Sequence, residues 1–500
     1  MITTLISPPS RVINHYRPPM ALMYLSGYLK KNGEDTRIID ETLKDQIRDK
    51  KFVTNRSNLL NLITDSIISR VKDLPTDIIG ITCYTPEIYE VEQLAKKIRI
   101  VKPDATIIVG GIHPTLYPQD LLGPDSLIDF VVVGEGELTL LELVRAIRSG
   151  KSDYSCIDGI GFFDKSSLRI VVTKNRPLVK DLDEISDPDY RDLDMNFYTT
   201  ASPYAIRGVF SRSFYISSSR GCPSSCSFCV SKKLREHHGI KQFVRLRSPE
   251  SLYNEIKTLS EKFAIDAFYF IDDLFTLKKE NVFAFCELLV KNRSHLVWGC
   301  SSKVNTVDYA MLKAMRLAGC VQIDFGVEKG SDEALRALKK GTTIAQIKDT
   351  FNNCHHLGIR TFANLLVNTP GETEEDLGDI ITLIKSIKPN IISINVFTPY
   401  PGCEIFDEAC FSLKREDYPR LMGDPAKLMA ADPQKFKFAK HAINLGQWGP
   451  KTMKKYNKII PNLAIYFDLK YIKCLIFSKR KIDYVRQFQF LIKEFILQKF

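Results

Sequence analysis

No stretch of about 18 uninterrupted apolar residues occurs in this 500-residue chain, so no membrane-spanning helix is expected. Residues 1–9 contain no basic segment leading into a long apolar run, and no secretory leader is expected either. The first apolar run is not followed by G-x-G-x-x-G, which argues against a dinucleotide. Outside the last fifty residues the chain has almost no excess charge. Residues 451–500 hold twelve Lys/Arg and three Asp/Glu, nine of the eleven net positive charges, which leaves +2 for the other 450 residues. A globally basic, nucleic-acid-coating protein is not indicated, and no RNA-recognition module is visible. With twelve cysteines and no leader, reduced thiols in the cytoplasm are expected.

What is present reads as an α/β chain of more than one domain. In residues 1–150, apolar runs at 3–7, 36–40, 77–84, 105–111 and 129–134 alternate with helical periodicity at 19–32, 57–73, 87–101 and 138–149. Strand–helix alternation at this spacing predicts a doubly wound parallel sheet. Such sheets bind ligands beyond the carboxyl ends of their strands. Small and polar residues collect there, at Thr82-Cys83-Tyr84-Thr85, Gly110-Gly111-Ile112-His113 and Gly134-Glu135-Gly136-Glu137. Tight turns without a ligand are the plain alternative. Residues 151–212 form a joint, with a hairpin pattern at 157–163 and 168–173. The acidic, proline-marked stretch 176–198 reads as a linker, free to lie along a domain interface.

Residues 213–415 repeat six strand–helix units, with strands at 214–219, 267–271, 296–300, 321–327, 360–367 and 391–397. Six parallel units predict an open, partial β/α barrel whose chemistry gathers at the carboxyl ends of its strands. After the first of them comes Gly221-Cys222-Pro223-Ser224-Ser225-Cys226-Ser227-Phe228-Cys229, three thiols at C-x₃-C-x₂-C spacing. A closed zinc site wants four ligands, which His237 or His238 could complete. Iron–sulfur clusters are usually held by four thiolates, so three would leave one iron open. A disulfide plus a spare thiol is the third alternative. Later strand ends carry Asp272-Asp273, Lys303, Gly326-Val327-Glu328, Asn368-Thr369-Pro370-Gly371-Glu372-Thr373 and Tyr400. Asp272 and Asp273 suit a metal, acid–base work or plain capping. Thr373 with Asp376 reads as a capping box.

The cysteine spacing, with Phe228 before the last cysteine, resembles the cluster loop of radical S-adenosylmethionine (SAM) enzymes. The resemblance implies a 4Fe–4S cluster on Cys222, Cys226 and Cys229, its open iron chelated by the methionine part of SAM. It further implies Asp272 or Asp273 near the SAM amino group or the substrate, and Lys303 toward the SAM carboxylate. Glu328 would accept from the ribose hydroxyls, residues 364–373 would contact adenine, and Tyr400 would face substrate. The first half is similar to the cobalamin-binding domain of the cobalamin-dependent members. Thr82 and Gly110-Gly111 match its Ser/Thr and Gly-Gly elements, and Gly134 and Glu135 are expected beside the same cofactor. The D-x-H-x-x-G motif of classical methionine-synthase-type cobalamin domains is absent, as its histidine is from many radical members. His15 lacks those neighbours, and His113 is expected to be a loop residue near the corrin rather than a cobalt ligand.

The likeness covers residues 1–415. It implies radical formation from SAM and methyl transfer to an unactivated carbon of a small-molecule or lipid-like substrate, with flavodoxin or ferredoxin as electron donor. A radical cyclase or oxidoreductase without methyl transfer is the runner-up, and a non-catalytic cobalamin sensor the alternative of another class. Residues 416–500 are expected to form a helical basic tail, either packed on the barrel or touching a membrane surface or lipid.

Overall fold

The computed structural model describes residues 2–9, 17–41, 56–185, 187–239, 244–367, 369–397 and 400–408, with positions 415 and 418. Apart from Tyr418, the expected basic tail lies outside the described residues. Among the described residues no helix is long and apolar enough to cross a membrane.

The first sheet comprises β1 (Ile2–Ile6), β2 (Thr36–Ile39), β3 (Thr76–Thr82), β4 (Thr106–Gly110), β5 (Phe130–Val132), β6 (Ile160–Asp164) and β7 (Arg169–Val172). Their order is β2-β1-β3-β4-β5-β6-β7. The first five are parallel, and β6 and β7 extend the sheet antiparallel. The hairpin expected in the joint is therefore part of this sheet. Alternate residues of each parallel strand point to opposite faces, and the two sets pack into different cores. Leu5, Ile38, Ile78 and Ile108 meet helices Met20–Lys31 and Gly136–Arg148. Ile6, Ile39, Ile79, Ile107 and Val109 meet helices Arg56–Asp73 and Ile88–Val101. Burial on both faces is why these strands read as continuous apolar runs.

The second sheet comprises β8 (Ala201–Ser202), β9 (Ser211–Ile216), β12 (Ala267–Phe270), β13 (Val297–Ser302), β14 (Cys320–Glu328), β15 (Arg360–Val367) and β16 (Ile391–Val396), in the order β16-β15-β14-β13-β12-β9-β8. A separate two-stranded ladder pairs β10 (Ser219–Arg220) with β11 (Arg245–Leu246). Six parallel strands run from β9 to β16, with β8 antiparallel at the edge. Phe268, Phe270, Trp298, Cys300, Ile323 and Phe325 face the helices, where Phe275 and Phe285 join them. Ring centroids of Phe270 and Phe275 lie 4.3 Å apart. Each such buried ring contributes on the order of 2–3 kcal/mol. The opposite register, Tyr215↔Tyr269↔Gly299↔Gln322, faces the lumen. Ala201, Ala205, Ile206 and Val209 close the lumen's lower end against Ala267, Val297 and Val321.

Helix ends follow local rules. Ser248 caps Pro249–Phe263 through Ser251 N–H, 3.1 Å from its hydroxyl. The Thr373–Asp376 capping box opens Glu374–Ile387 as expected. The acidic stretch 176–198 differs from its reading as a linker. Leu193, Met195, Phe197 and Tyr198 belong to the core that joins both sheets. Asp181, Asp183, Glu184 and Asp187 stay exposed, whereas Asp189 and Asp192 are drawn in and satisfied. Asp189 accepts from Ser26 Oγ at 2.8 Å and lies 2.5 Å from Lys30 Nζ, and Asp192 accepts from the Ile38 N–H at 3.0 Å.

Candidate active site between the two sheets

The thiol loop leaves the ladder at Arg220 and is held from several sides. Beneath it, Asp272 at the end of β12 takes Ser219 N–H at 2.6 Å and Ser218 N–H at 2.9 Å on Oδ1, and the two serine hydroxyls at 2.9 and 2.8 Å. Both carboxylate oxygens are engaged, so Asp272 anchors the loop. Arg235, in helix Ser231–His237, donates to the carbonyls of Cys222, Pro223 and Ser224 at 3.4, 2.7 and 3.3 Å and to Ser225 Oγ at 2.8 Å. Ser227 N–H donates to Leu338 O at 3.1 Å, and Ile405 N–H donates to Ser227 O at 3.0 Å. Cys229 Sγ lies 3.3 Å from Ser231 Oγ, and the same hydroxyl hydrogen-bonds Asp273. Enclosure pushes the Asp273 carboxyl up, against that bond.

Burial raises the Cys226 thiol, while the Lys340 and Lys303 ammonium groups oppose that rise. Such neighbours favour a thiolate ligand. Among the described residues no three His, Cys, Asp or Glu side chains close around a single ion, the arrangement a zinc site requires. His237 and His238 instead stand against each other at 5.2 Å, and His238 packs on Gly134 of the first sheet. A cluster makes the weaker geometric demand, since each thiolate binds a separate iron. Three cysteines in a clamped loop with two nearby cations fit it.

Glu328 stands on the far side of the loop. A register shift between Gly326 and Glu328 sets Val327 as a bulge against β15, and Glu328 has φ +64°. Bulges re-aim side chains next to active sites, and a non-glycine residue in the left-handed region stores strain that the surroundings must hold. Lys340 Nζ supplies the hold, 2.8 Å from Glu328 Oε1, with both side chains about nine-tenths buried. Burial alone would lower the Lys340 ammonium, but Glu328 and Cys226 outweigh it and raise its pKa. A Cβ on Gly326 would fall 2.5 Å from both Glu328 Oε1 and Lys340 Nζ, so a side chain there would push this ion pair out of place. The next residue, Lys329, forms a buried ion pair of 2.9 Å with Glu372, which also accepts from Thr369 N–H at 2.9 Å. That pair fixes the turn expected at adenine. Lys303 Nζ is 3.4 Å from Ser224 Oγ, and burial lowers its ammonium. Tyr400 is half-buried in the segment after β16, and burial raises its phenol.

The sequence reading missed Lys340 and the lumen. Asp324, on β14, accepts from Gln322 Nε2 at 2.9 Å, and Tyr269 OH lies 2.9 Å from Ser301 Oγ. Burial pushes the Asp324 carboxyl up to about 6. The only local signal was polar residues in apolar strands. A cleft lined by Tyr253, Lys257, Glu261, Asn292 and His295 opens at the opposite strand ends and holds none of these groups.

On the first sheet, Thr82, Gly110-Gly111 and Gly134 stand at the carboxyl ends of β3, β4 and β5. Gly111 has φ +116°, and a Cβ there would sit 2.7 Å from Cys83 O. Thr115 Oγ1 donates to Gly111 O at 2.7 Å and accepts from Gly134 N–H at 3.0 Å, tying the glycine turns into one shelf without side chains. Backbone rather than side chain lines these strand ends, as a large flat cofactor needs, with the His238 ring standing over Gly134. Glu135 turns away from it, with Oε1 2.5 Å from Arg245 Nη2 and 3.5 Å from Arg220 Nη1. His113 is fully buried, with Nδ1 3.2 Å from Thr85 Oγ1, and burial lowers its imidazole to about 4. Its Nε2 lies 3.6 Å from Asp120 Oδ2 in the same loop. His15 lies outside the described residues.

Comparison with known proteins agrees with both halves. The family model described as the radical SAM superfamily matches residues 216–384, and that of the B12 binding domain matches residues 10–144. The chain is 29% identical over 457 residues to the anaerobic magnesium-protoporphyrin IX monomethyl ester cyclase of Rubrivivax gelatinosus, covering 89% of this chain and 74% of that protein. It is also 29% identical over 416 residues to an uncharacterized methyltransferase of Pyrococcus horikoshii, covering 81% and 82%. The fold resembles that of TsrM, a radical SAM methyltransferase from Kitasatospora setae solved with cobalamin and a [4Fe-4S] cluster. The TM-score is 0.62 at 18% identity, over 82% of this chain and 74% of that one. The chain thus joins a B12 binding domain to a radical SAM domain, the pairing found in cobalamin-dependent radical SAM enzymes, and cobalamin, a 4Fe–4S cluster and SAM are the cofactors of those two domains.

Proposed function

We propose that the enzyme transfers a methyl group to an unactivated carbon of a small or lipid-like substrate held in the barrel lumen. One observation carries the reading: the glycine shelf of the first sheet abuts the carboxyl end of the second. Gly134 meets His238, and a Cβ on Gly402 would lie 3.2 Å from Leu116 and 3.4 Å from the Tyr117 hydroxyl. A methyl donor on the shelf and a radical source at the thiols would then serve one substrate. The relatives support this, since the Pyrococcus protein is a methyltransferase by name, as is the cytidylyl-2-hydroxyethylphosphonate methyltransferase of Streptomyces wedmorensis at 24% identity.

In this reading Cys222, Cys226 and Cys229 hold the cluster, and Glu328 receives the ribose hydroxyls of SAM, exchanging Lys340 for them. A carboxylate suits a vicinal diol because it offers several acceptor lone pairs. Bound there, the cofactors supply a carbon radical and a methyl group. Asp273 and Tyr400 remain the proposed groups beside substrate, and flavodoxin or ferredoxin the proposed donor. The magnesium-protoporphyrin cyclases, at comparable identity, favour ring closure as the second reading. Methyl-labelled SAM separates the two. Methyl transfer predicts label in the product, with S-adenosylhomocysteine and 5′-deoxyadenosine released in comparable amounts. A cyclase would release 5′-deoxyadenosine alone and leave the product unlabelled.

A further inference from the structure

The thiol loop begins on a ladder of unusual composition. β10 and β11 pair antiparallel over two residues each, and the register sets Arg220 directly opposite Arg245. Like charges facing each other across a ladder destabilise it, and a ladder this short has few hydrogen bonds to offset that. Among the described residues the second domain does not supply the compensating charge. Glu135 and Glu137 of the first domain do.

Glu135 lies between the two guanidinium groups, and Arg245 contacts both its oxygens, at 2.5 and 2.9 Å. Arg220 reaches Glu137 at 2.5 and 3.2 Å, where the Glu137 side chain is only 5% exposed. Burial strengthens such a pair and makes the loss of one partner costly. Arg220 also lies over Tyr24 of the first domain, 5.7 Å from the ring centroid. One residue separates Arg220 from Cys222, and Glu135 directly follows Gly134 of the shelf. The chain from shelf to thiol is thus Gly134–Glu135–Arg220–Gly221–Cys222, with a single salt-bridged step.

We infer that Glu135, Glu137, Arg220 and Arg245 are positioning residues that couple cobalamin binding to the cluster loop. The inference rests on family membership and not on the choice between methyl transfer and cyclisation. A cofactor that settles the 134–137 loop also settles the carboxylates between the arginines, and so the start of the thiol loop. Linkage makes the effect reciprocal, so the cluster tightens cobalamin by the same factor.

The test is titration of the full chain with hydroxocobalamin under anaerobic conditions, with the cluster reconstituted and with it removed. The wild type is expected to bind about tenfold more tightly with the cluster present, within the usual range of coupling. Glu135→Gln with Glu137→Gln should bring the ratio below about twofold. A wild-type ratio near one, or a full ratio kept in the double variant, overturns the inference. If the double variant does not fold, Arg220→Glu should lose the ratio and Glu137→Arg added to it should restore it. A charge-reversed pair that folds without restoring it overturns the inference too. A third readout needs no variant. Amide exchange across residues 216–230 of the wild type should slow when hydroxocobalamin is added, and unchanged exchange there contradicts the coupling.

Discussion

Replacing Asp272 by alanine removes the acceptor beneath the thiol loop. Two buried backbone donors, Ser218 N–H and Ser219 N–H, lose their partner, together with two serine hydroxyls. Each stranded buried N–H costs about 1–3 kcal/mol. The hydroxyls rotate and cost less, so the local loss is about 3–4 kcal/mol. Asparagine is milder. Its carbonyl can replace Oδ1, which takes both backbone N–H groups, while its amide would face Ser218 Oγ, which can turn to accept, and would lose the second contact of the Ser218 N–H, 3.1 Å to Oδ2. About 1–2 kcal/mol is expected there. The assay is hydrogen exchange of peptides spanning 217–222, with iron counted after anaerobic reconstitution. At about 1.4 kcal/mol per decade, Asp272→Ala should speed local exchange on the order of 100–1,000-fold and lower the iron content, and Asp272→Asn about tenfold. Native exchange and full iron in Asp272→Ala would refute the anchor. Full iron and native exchange in Asp272→Asn, with SAM cleavage lost, would show Asp272 to be the acid–base group considered from sequence.

Asp324 gives a pH signature: its folded carboxyl titrates near 6, above the ordinary 3.8. The native state therefore holds the proton longer, so this group's contribution to stability is full below pH about 4 and is lost as pH rises to about 6, by on the order of 3 kcal/mol. Asp324→Asn should flatten that fall, and an unchanged slope of melting temperature against pH would contradict the assignment. Gly326→Ala places its Cβ 2.5 Å from Glu328 Oε1 and Lys340 Nζ, and should weaken SAM about tenfold or more while leaving iron intact. The SAM-induced change in the reduced cluster's paramagnetic resonance reads this directly. Cobalt(II) cobalamin on the protein should show no nitrogen splitting, because His113 is buried in its own loop. A splitting that vanishes in His113→Ala or His15→Ala would contradict this.

The parallel sheets were legible because strands buried on both faces leave long apolar runs, as in residues 77–84 and 360–367. Gly326-Val327-Glu328 was legible as a motif, yet the bulge and the positive φ that explain it were not. The acidic stretch 176–198 misled because composition reports a preference for water. It cannot show that Ser26, Lys30 and the Ile38 N–H wait on a distant helix and strand for Asp189 and Asp192. Strands β10 and β11, two residues each, are too short to carry periodicity. Lys340 and Arg220 gain their meaning from partners remote in the chain. Glu135 was expected beside cobalamin because its neighbours are glycines, whereas its side chain turns to the arginines of the other domain.

The central claim, a SAM-cleaving cluster on three thiols, is tested most directly by the single variants Cys222→Ala, Cys226→Ala and Cys229→Ala beside the wild type. After anaerobic reconstitution the wild type should carry about four irons and four sulfides at this site and form 5′-deoxyadenosine from SAM under a strong reductant. Each variant should form none. Formation of 5′-deoxyadenosine retained in all three variants would contradict the claim.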